Sequence, residues 1–231
     1  GPPMIREDQR FSAYFVAVAA VFVTCLVVSN IIAVKLISVG GFILPAAIAI
    51  FPISYLLADV LTEVYGFRAA RRVIWLGFFC NLLAVAAIYV GGALPAAVFW
   101  PNQPAYDSIL GATPRILGAS FLAYLLGEFA NTMIMSRLKV KMAGRHLWLR
   151  AIGSTLIGQG LDSAVFITIA FAGLMPTGVL LAAVVTQWLV KSAYEALATP
   201  LTYGMVSLLK RREGIDVYDR QLRLNPFAIF E

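Results

Sequence analysis

Long apolar runs separated by short charged turns dominate the pattern of hydrophobic and polar positions along this chain. Each run approaches the roughly 20 residues that an α-helix needs to cross the hydrocarbon core of a bilayer. The pattern predicts six helices, at residues 11–36, 44–65, 73–94, 115–138, 150–172 and 178–209. We therefore expect an all-α, polytopic membrane protein with six transmembrane helices.

Composition supports the membrane class. The chain has 231 residues, of which 61% are hydrophobic and 13% charged, whereas a soluble domain is about half apolar and a quarter charged. We expect one transmembrane domain over residues 11–209, flanked by an N-terminal segment, 1–10, and a C-terminal tail, 210–231. Gly1-Pro2 resembles the remnant of a protease site, and no cleavable signal peptide is apparent.

Basic residues predict the orientation, because Lys and Arg collect on the cytoplasmic side of membrane proteins. They cluster near the N-terminus (Arg6 and Arg10), after the second and fourth predicted helices, and in the tail. The other side carries only Lys35 and Arg115. Both termini are therefore predicted to be cytoplasmic, which agrees with an even number of helices. This asymmetry accounts for the net charge of +6, and we expect the lipid bilayer, not nucleic acid, as the partner.

The fifth predicted helix is apolar except at its centre, which reads Gly158-Gln159-Gly160-Leu161-Asp162. Gln159 and Asp162 lie three residues apart and share a helical face. Polar groups at membrane depth are costly and normally face the interior of a helix bundle. The two glycines allow another backbone or a flat ligand to approach closely. We therefore predict a small-molecule site at this point.

Other ionisable residues fall inside predicted spans, and each has a structural alternative. Glu63 suits a position at the membrane boundary, where its carboxylate can reach water or form a salt bridge, for example with Arg68. Lys191 suits an ion pair with Glu195, four residues away, or with another helix. Asn30 suits an interhelical hydrogen bond. The predicted substrate-binding residues are Gln159, Asp162, Glu128, Asn131, Asn30, Lys191, Phe51, Tyr55 and Trp188, and residues predicted for a gate or proton coupling are Asp59, Glu63 and Glu195.

Enzyme signatures are missing from the sequence. There is no Gly-x-Ser-x-Gly elbow, no His-Glu-x-x-His zinc motif and no phosphate-binding Gly-x-x-x-x-Gly-Lys loop. No regular ring of charges suggests an ion channel. Cys25 and Cys80 lie in apolar runs without metal spacing. We expect no catalytic residues, no metal and no cofactor.

Residues spread over the whole chain resemble a known family. The second predicted helix contains Phe51-Pro52, Tyr55, Asp59, Glu63 and Tyr65-Gly66. The other helices add Ser29-Asn30, Gly127-Glu128 with Asn131, Ser154-Thr155 with Gly158-Gln159 and Asp162, and Lys191 with Glu195 and Pro200. This set resembles the signature of the bacterial queuosine precursor transporter family, also described as vitamin uptake transporters.

The resemblance implies a six-helix importer in the bacterial inner membrane. Its substrates would be 7-cyano-7-deazaguanine (preQ0) and 7-aminomethyl-7-deazaguanine (preQ1), salvaged for the tRNA nucleoside queuosine. With that substrate, Asp162 or Glu128 suits the donor edge of the base, and Gln159 or Asn131 suits its carbonyl. The resemblance also implies kinship with the substrate-binding subunits of energy-coupling-factor vitamin transporters.

Two other interpretations stay open at this point. One is that the chain is not a solitary transporter but a binding subunit that docks an ATPase module. Ala13 and Ala17 offer a weak small-residue face for this docking. The other is a structural membrane protein with no ligand. Ser154 and Gly158 suit helix packing within one chain or in a homodimer.

Overall fold

A computed structural model describes residues 12–40, 42–111, 114–174, 176–220 and 224–228. The predicted N-terminal segment 1–10, with Arg6 and Arg10, lies outside the described residues. The α-helices are α1 (Ala13–Ile32), α2 (Phe51–Tyr65), α3 (Phe67–Ala93), α4 (Gln103–Leu110), α5 (Pro114–Lys141), α6 (Leu147–Phe171) and α7 (Thr177–Glu213). The all-α prediction is therefore confirmed for most of the described chain, apart from one β-hairpin.

The hairpin replaces the predicted end of the first helix and the predicted start of the second. Strand β1 (Leu36–Val39) pairs antiparallel with β2 (Phe42–Pro45), and a 3-10 helix, Ala46–Ala49, follows. Gly40 has a φ of +57°, a conformation that glycine adopts without steric cost. The predicted boundaries at residues 36 and 44 were wrong because a short run rich in β-branched residues suits a strand as well as a helix.

A break of a single residue separates α2 from α3. Gly66 has a φ of +83°, and the backbone N–H of Phe67 donates to Asp219 Oδ2 at 2.9 Å. A side chain from the C-terminal segment therefore satisfies one of the free N–H groups at the start of α3. The predicted turn over residues 66–72 was wrong, since its arginines belong to the first turns of α3.

Four stretches of the described chain are long and apolar enough to cross a membrane. They are Ala13–Ile32, Ala46–Ala93, Gln103–Lys141 and Leu147–Phe171. The second stretch contains both α2 and α3. Helix α2 has 15 residues and is about 22 Å long, which is shorter than a hydrocarbon core of about 30 Å. Helix α7 continues through Pro200 for 37 residues.

Helices α5 and α6 pack as an antiparallel pair. At one end, Arg115 of α5 donates to the carbonyl oxygens of Ile169 and Ala172, both at 2.6 Å, where α6 ends. In the middle, a Cβ on Gly158 would lie 2.8 Å from Asn131 Cβ and 2.9 Å from the Gly127 oxygen. Gly158 therefore permits the close backbone approach that the sequence predicts, and it does so within one chain.

The C-terminal segment, residues 214–220 and 224–228, returns across the ends of α2, α3 and α5. Val217 N donates to Val64 O at 3.2 Å, and Asp219 Oδ2 accepts from Ser136 at 2.7 Å. Arg71 donates to Asn225 O at 2.7 Å. Helix α7 extends to Glu213, four residues beyond the predicted helix end at residue 209.

Candidate functional site

A cavity of about 110 Å³ opens between α1, the start of α2, α5, α6 and α7. One water needs about 10–15 Å³ on this measure, so the space suits a small molecule. The hairpin end and the 3-10 helix form part of the wall. The lining residues are Leu26, Ser29, Asn30, Ala33, Pro45, Ala47, Ile48, Phe51, Pro52, Ser120, Ala123, Tyr124, Asp162, Phe166, Gln187 and Lys191.

An ion pair between α6 and α7 forms one wall of the cavity. Lys191 Nζ lies 2.6 Å from Asp162 Oδ2, and both side chains are largely buried. The same ammonium sits 4.8 Å from the ring centroid of Phe51. Lys191 therefore pairs with another helix, as one sequence alternative proposed, and not with Glu195. The pair offers an anion and a cation side by side next to an aromatic face.

Polar groups from α1, α5 and α7 complete the wall. Ser120 donates to Asn30 Oδ1 at 3.2 Å, and Asn30 Nδ2 donates to Leu26 O at 3.3 Å. Asn30 thus makes the interhelical bond of its structural alternative and also lines the cavity. Gln187 was missed as a site residue. It lies one turn before Lys191 on α7, and that spacing was the available signal.

Behind the cavity lies a buried polar cluster, which we define as Tyr55, Asp59, Glu128, Asn131, Gln159 and Glu195. All six side chains are buried, and none lines the cavity. Asn131 Nδ2 donates to Asp59 Oδ1 at 2.8 Å, which links α5 to α2. Four of the nine predicted substrate-binding residues therefore lie beside the cavity, in a layer shared with two of the predicted coupling residues.

Most polar atoms of this cluster have no hydrogen-bond partner among the described residues. They include Tyr55 Oη, both carboxylate oxygens of Glu128 and both polar atoms of Gln159. Ser54 lies near Glu128, but its hydroxyl donates to Phe51 O at 2.7 Å. Buried polar atoms are normally paired, so this cluster has the capacity to bind a partner.

The cluster adjoins the cavity at Asp162. A Cβ on Gly127 would meet both Tyr55 Oη and Asp162 Cβ. These two side chains therefore pack against the same glycine. Trp188 lies outside the cavity wall. Its Nε1 donates to Leu156 O at 2.8 Å, and it packs against Gly160.

Glu63 belongs to a separate ion network at the other end of α2. Its carboxylate bonds Arg150 and accepts from Lys210 at 2.8 Å, and Lys139 Nζ lies 3.8 Å away. Lys139 and Lys210 also contact Asp216 of the C-terminal segment, at 2.5 and 2.9 Å. Glu63 is fully buried, and its partners do not include the exposed Arg68. A salt bridge was expected, but its named example was wrong.

The chain is similar to known transporters over most of its length. Residues 45–205 match the profile of the family described as "Putative vitamin uptake transporter". The chain is 30% identical over 190 residues to the "Probable queuosine precursor transporter" of Bacillus subtilis, covering 81% of this chain and 82% of that protein. It is 30% identical over 169 residues to the "Queuosine precursor transporter" of Escherichia coli, covering 73% of each.

No solved structure matches the chain significantly. The two relatives and the family profile nevertheless name the family that the sequence resembles. The chain belongs to the queuosine precursor transporter family, within the vitamin uptake transporters.

Proposed function

We propose that this protein imports queuosine precursors, preQ0 or preQ1, across the bacterial inner membrane. The observation that carries the proposal is the Lys191–Asp162 pair facing a cavity at membrane depth. The names of the two relatives supply the substrate class. Ionisable groups at such depth are typical of substrate pathways.

The chemistry of a deazaguanine base suits the cavity wall. Its N1–H and exocyclic amine are donors that match the Asp162 carboxylate, and its O6 is an acceptor that matches the Lys191 ammonium. Gln187 offers both a donor and an acceptor. Phe51 and Phe166 present apolar surface for the faces of the ring.

Six membrane crossings are part of the proposal: α1, α2 with the 3-10 helix and hairpin before it, α3, α5, α6 and α7. The short α2 then works as a discontinuous span, a device by which transporters form sites near the bilayer midplane. Basic residues cluster near the ends where α2, α5 and α7 finish, so this end is cytoplasmic. The cavity lies towards the opposite, outer ends of these helices.

Reconstitution of the purified chain tests the proposal. We expect liposomes containing it to take up labelled preQ0 or preQ1 without ATP, and unlabelled deazaguanines to compete while unrelated vitamins do not. Uptake that requires an added ATPase module would instead show a binding subunit. The proposal is contradicted if no deazaguanine is taken up and none raises the thermal stability of the protein, because a ligand that binds the folded state raises its stability.

A further inference from the structure

We propose that the buried polar cluster is a proton site that couples import of the base to the proton gradient, with Glu195 as its central carrier. This inference rests on the proposed function and adds its energy source.

Three carboxyl groups of the cluster form no ion pair with any cation in the part of the chain that the structure describes. Asp59 comes from α2, Glu128 from α5 and Glu195 from α7, and each is buried. They interact electrostatically with one another. Carboxylates close together in a buried site cannot all be ionised, because burial and mutual repulsion both oppose the charged form. The cluster therefore holds protons.

The neighbouring charged groups do not remove this imbalance. Lys191 of α7 is paired with Asp162 of α6 at 2.6 Å. Arg150 of α6 reaches Asp59 electrostatically, but its guanidinium bonds Glu63 of α2. Helix α1 carries no charged residue. Lys191 and Arg150, the described cations nearest the cluster, are thus each already paired with another carboxylate.

Hydrogen bonding within the cluster points in the same direction. Unpartnered acceptor oxygens occur on Asp59, Glu128, Asn131, Gln159 and Glu195. The unpartnered donors of the cluster are the Tyr55 hydroxyl and the Gln159 amide. Protonated carboxyls add O–H donors at a place where acceptors are in excess. The described residues contain no group of three His, Cys, Asp or Glu side chains placed to hold a metal ion.

Lys191 links the proton site to the base. Glu195 follows Lys191 by one turn of α7, a spacing at which an ionised glutamate competes for the ammonium. Lys191 nevertheless bonds Asp162 on another helix. A neutral Glu195 explains this choice. Protonation of Glu195 then leaves Lys191 and Asp162 paired at the cavity wall, where both groups can bind the base.

This arrangement predicts symport. A proton from the outer solution adds to the Glu195 carboxylate, the base binds at Lys191 and Asp162, and both leave on the cytoplasmic side. The proton is carried without redox chemistry. If one proton enters with each neutral base, the concentration ratio of the base across the membrane balances the concentration ratio of protons. Each pH unit across the membrane then supports about tenfold accumulation of the base.

The test uses the purified full chain and preQ0, which carries no net charge near neutral pH. In proteoliposomes with the membrane potential clamped at zero, an outside pH one unit lower should raise wild-type accumulation about tenfold. Glu195→Gln mimics the protonated residue, so it should bind preQ0 within about threefold of wild type while losing the response to pH. Asp107→Asn, at an exposed carboxyl on α4, is the matched control and should respond as wild type does.

A second measurement separates coupling from a folding defect. At a pH high enough to ionise Glu195 before the base binds, binding of preQ0 to detergent-solubilised wild type should take up protons, detected as a binding enthalpy that changes with the ionisation enthalpy of the buffer, and Glu195→Gln should lose this dependence. Wild-type uptake that ignores pH, or that follows a Na⁺ gradient, overturns the coupling alone. The proton coupling is also overturned if the full pH response is kept by all three variants, Glu195→Gln, Glu128→Gln and Asp59→Asn. Absence of preQ0 and preQ1 binding to wild type overturns the proposed function and the coupling together.

Discussion

Lys191 on α7 and Asp162 on α6 form an ion pair of 2.6 Å in the wall of the cavity, with the Phe51 ring 4.8 Å from the ammonium. A buried pair of this kind is not strong evidence for stability, since desolvation offsets much of the attraction. Its position instead suggests recognition.

Asp162→Ala should abolish uptake of the base and leave Lys191 without its anion. Losing one side of a buried hydrogen-bonded pair costs a few kcal/mol, and about 1.4 kcal/mol is a factor of ten in affinity. We expect binding to weaken by about a hundredfold, measured by titration calorimetry. The double variant Asp162→Ala with Lys191→Ala removes both charges, so it should regain thermal stability but not uptake. Wild-type uptake by either folded variant would contradict the assignment.

Two neighbouring residues on α7 differ in their position relative to the cavity. Gln187 lines the cavity, whereas Trp188 donates to Leu156 O outside it. Gln187→Ala should therefore weaken binding of the base by about tenfold, the typical effect of one lost hydrogen bond of 1–1.5 kcal/mol. Trp188→Phe should leave affinity unchanged, although it removes that bond to Leu156. If Trp188→Phe weakened binding more than Gln187→Ala in the same assay, Trp188 would belong to the binding site.

The sequence predicts the long helices well because their apolar runs are long and end at charged turns. It places Asp162, Lys191, Asn30 and Phe51 at one site, since polar groups at membrane depth have few other roles. The hairpin before α2 was not predictable from the pattern, because a short apolar run fits strand or helix equally. Which carboxylates meet which cations depends on how helices pack, and this is why Glu63 with Arg150 was missed.

The Glu63–Arg150 ion pair should be important for stability. Both side chains are fully buried, and breaking a buried pair from one side leaves an uncompensated charge that costs about 3–5 kcal/mol. Glu63→Gln should therefore lower the free energy of unfolding in detergent by about that amount, measured by chemical denaturation. The control Asp107→Asn removes an exposed carboxyl and should have little effect. Equal stability of the two variants would show that Glu63 is not held as described.

Two glycines on α6 should respond oppositely to alanine. At Gly158 a Cβ would lie 2.8 Å from Asn131 Cβ and 2.9 Å from the Gly127 oxygen, whereas at Gly153 the nearest atom is Leu138 Cδ1 at 3.9 Å. Gly158→Ala should force α5 and α6 apart, at a cost of about 1–3 kcal/mol. Gly153→Ala should be neutral or raise stability by about 0.5–1 kcal/mol, because glycine is unfavourable inside a helix. Thermal melting of the two variants compares them directly.

Asp216 anchors the C-terminal segment to Lys139 and Lys210. Partial burial by itself raises the pKa of this carboxyl, but the hydrogen bonds and charges of the two lysines outweigh burial and hold the pKa below its ordinary value. A carboxyl whose pKa is lower in the folded state stabilises that state above the unfolded pKa, about 3.9. The stabilisation is lost as the pH falls through the lower, folded pKa.

Docking of the C-terminal segment should therefore be constant between pH 5 and 7 as far as Asp216 is concerned, and should weaken only below about pH 4. Asp216→Asn removes the charge at every pH, so it should loosen the segment already at neutral pH and flatten this acid response. Hydrogen–deuterium exchange of the Val217 amide, which donates to Val64 O, reports docking. Identical exchange in wild type and Asp216→Asn at pH 7 would show that the backbone bonds and Asp219 hold the segment without Asp216.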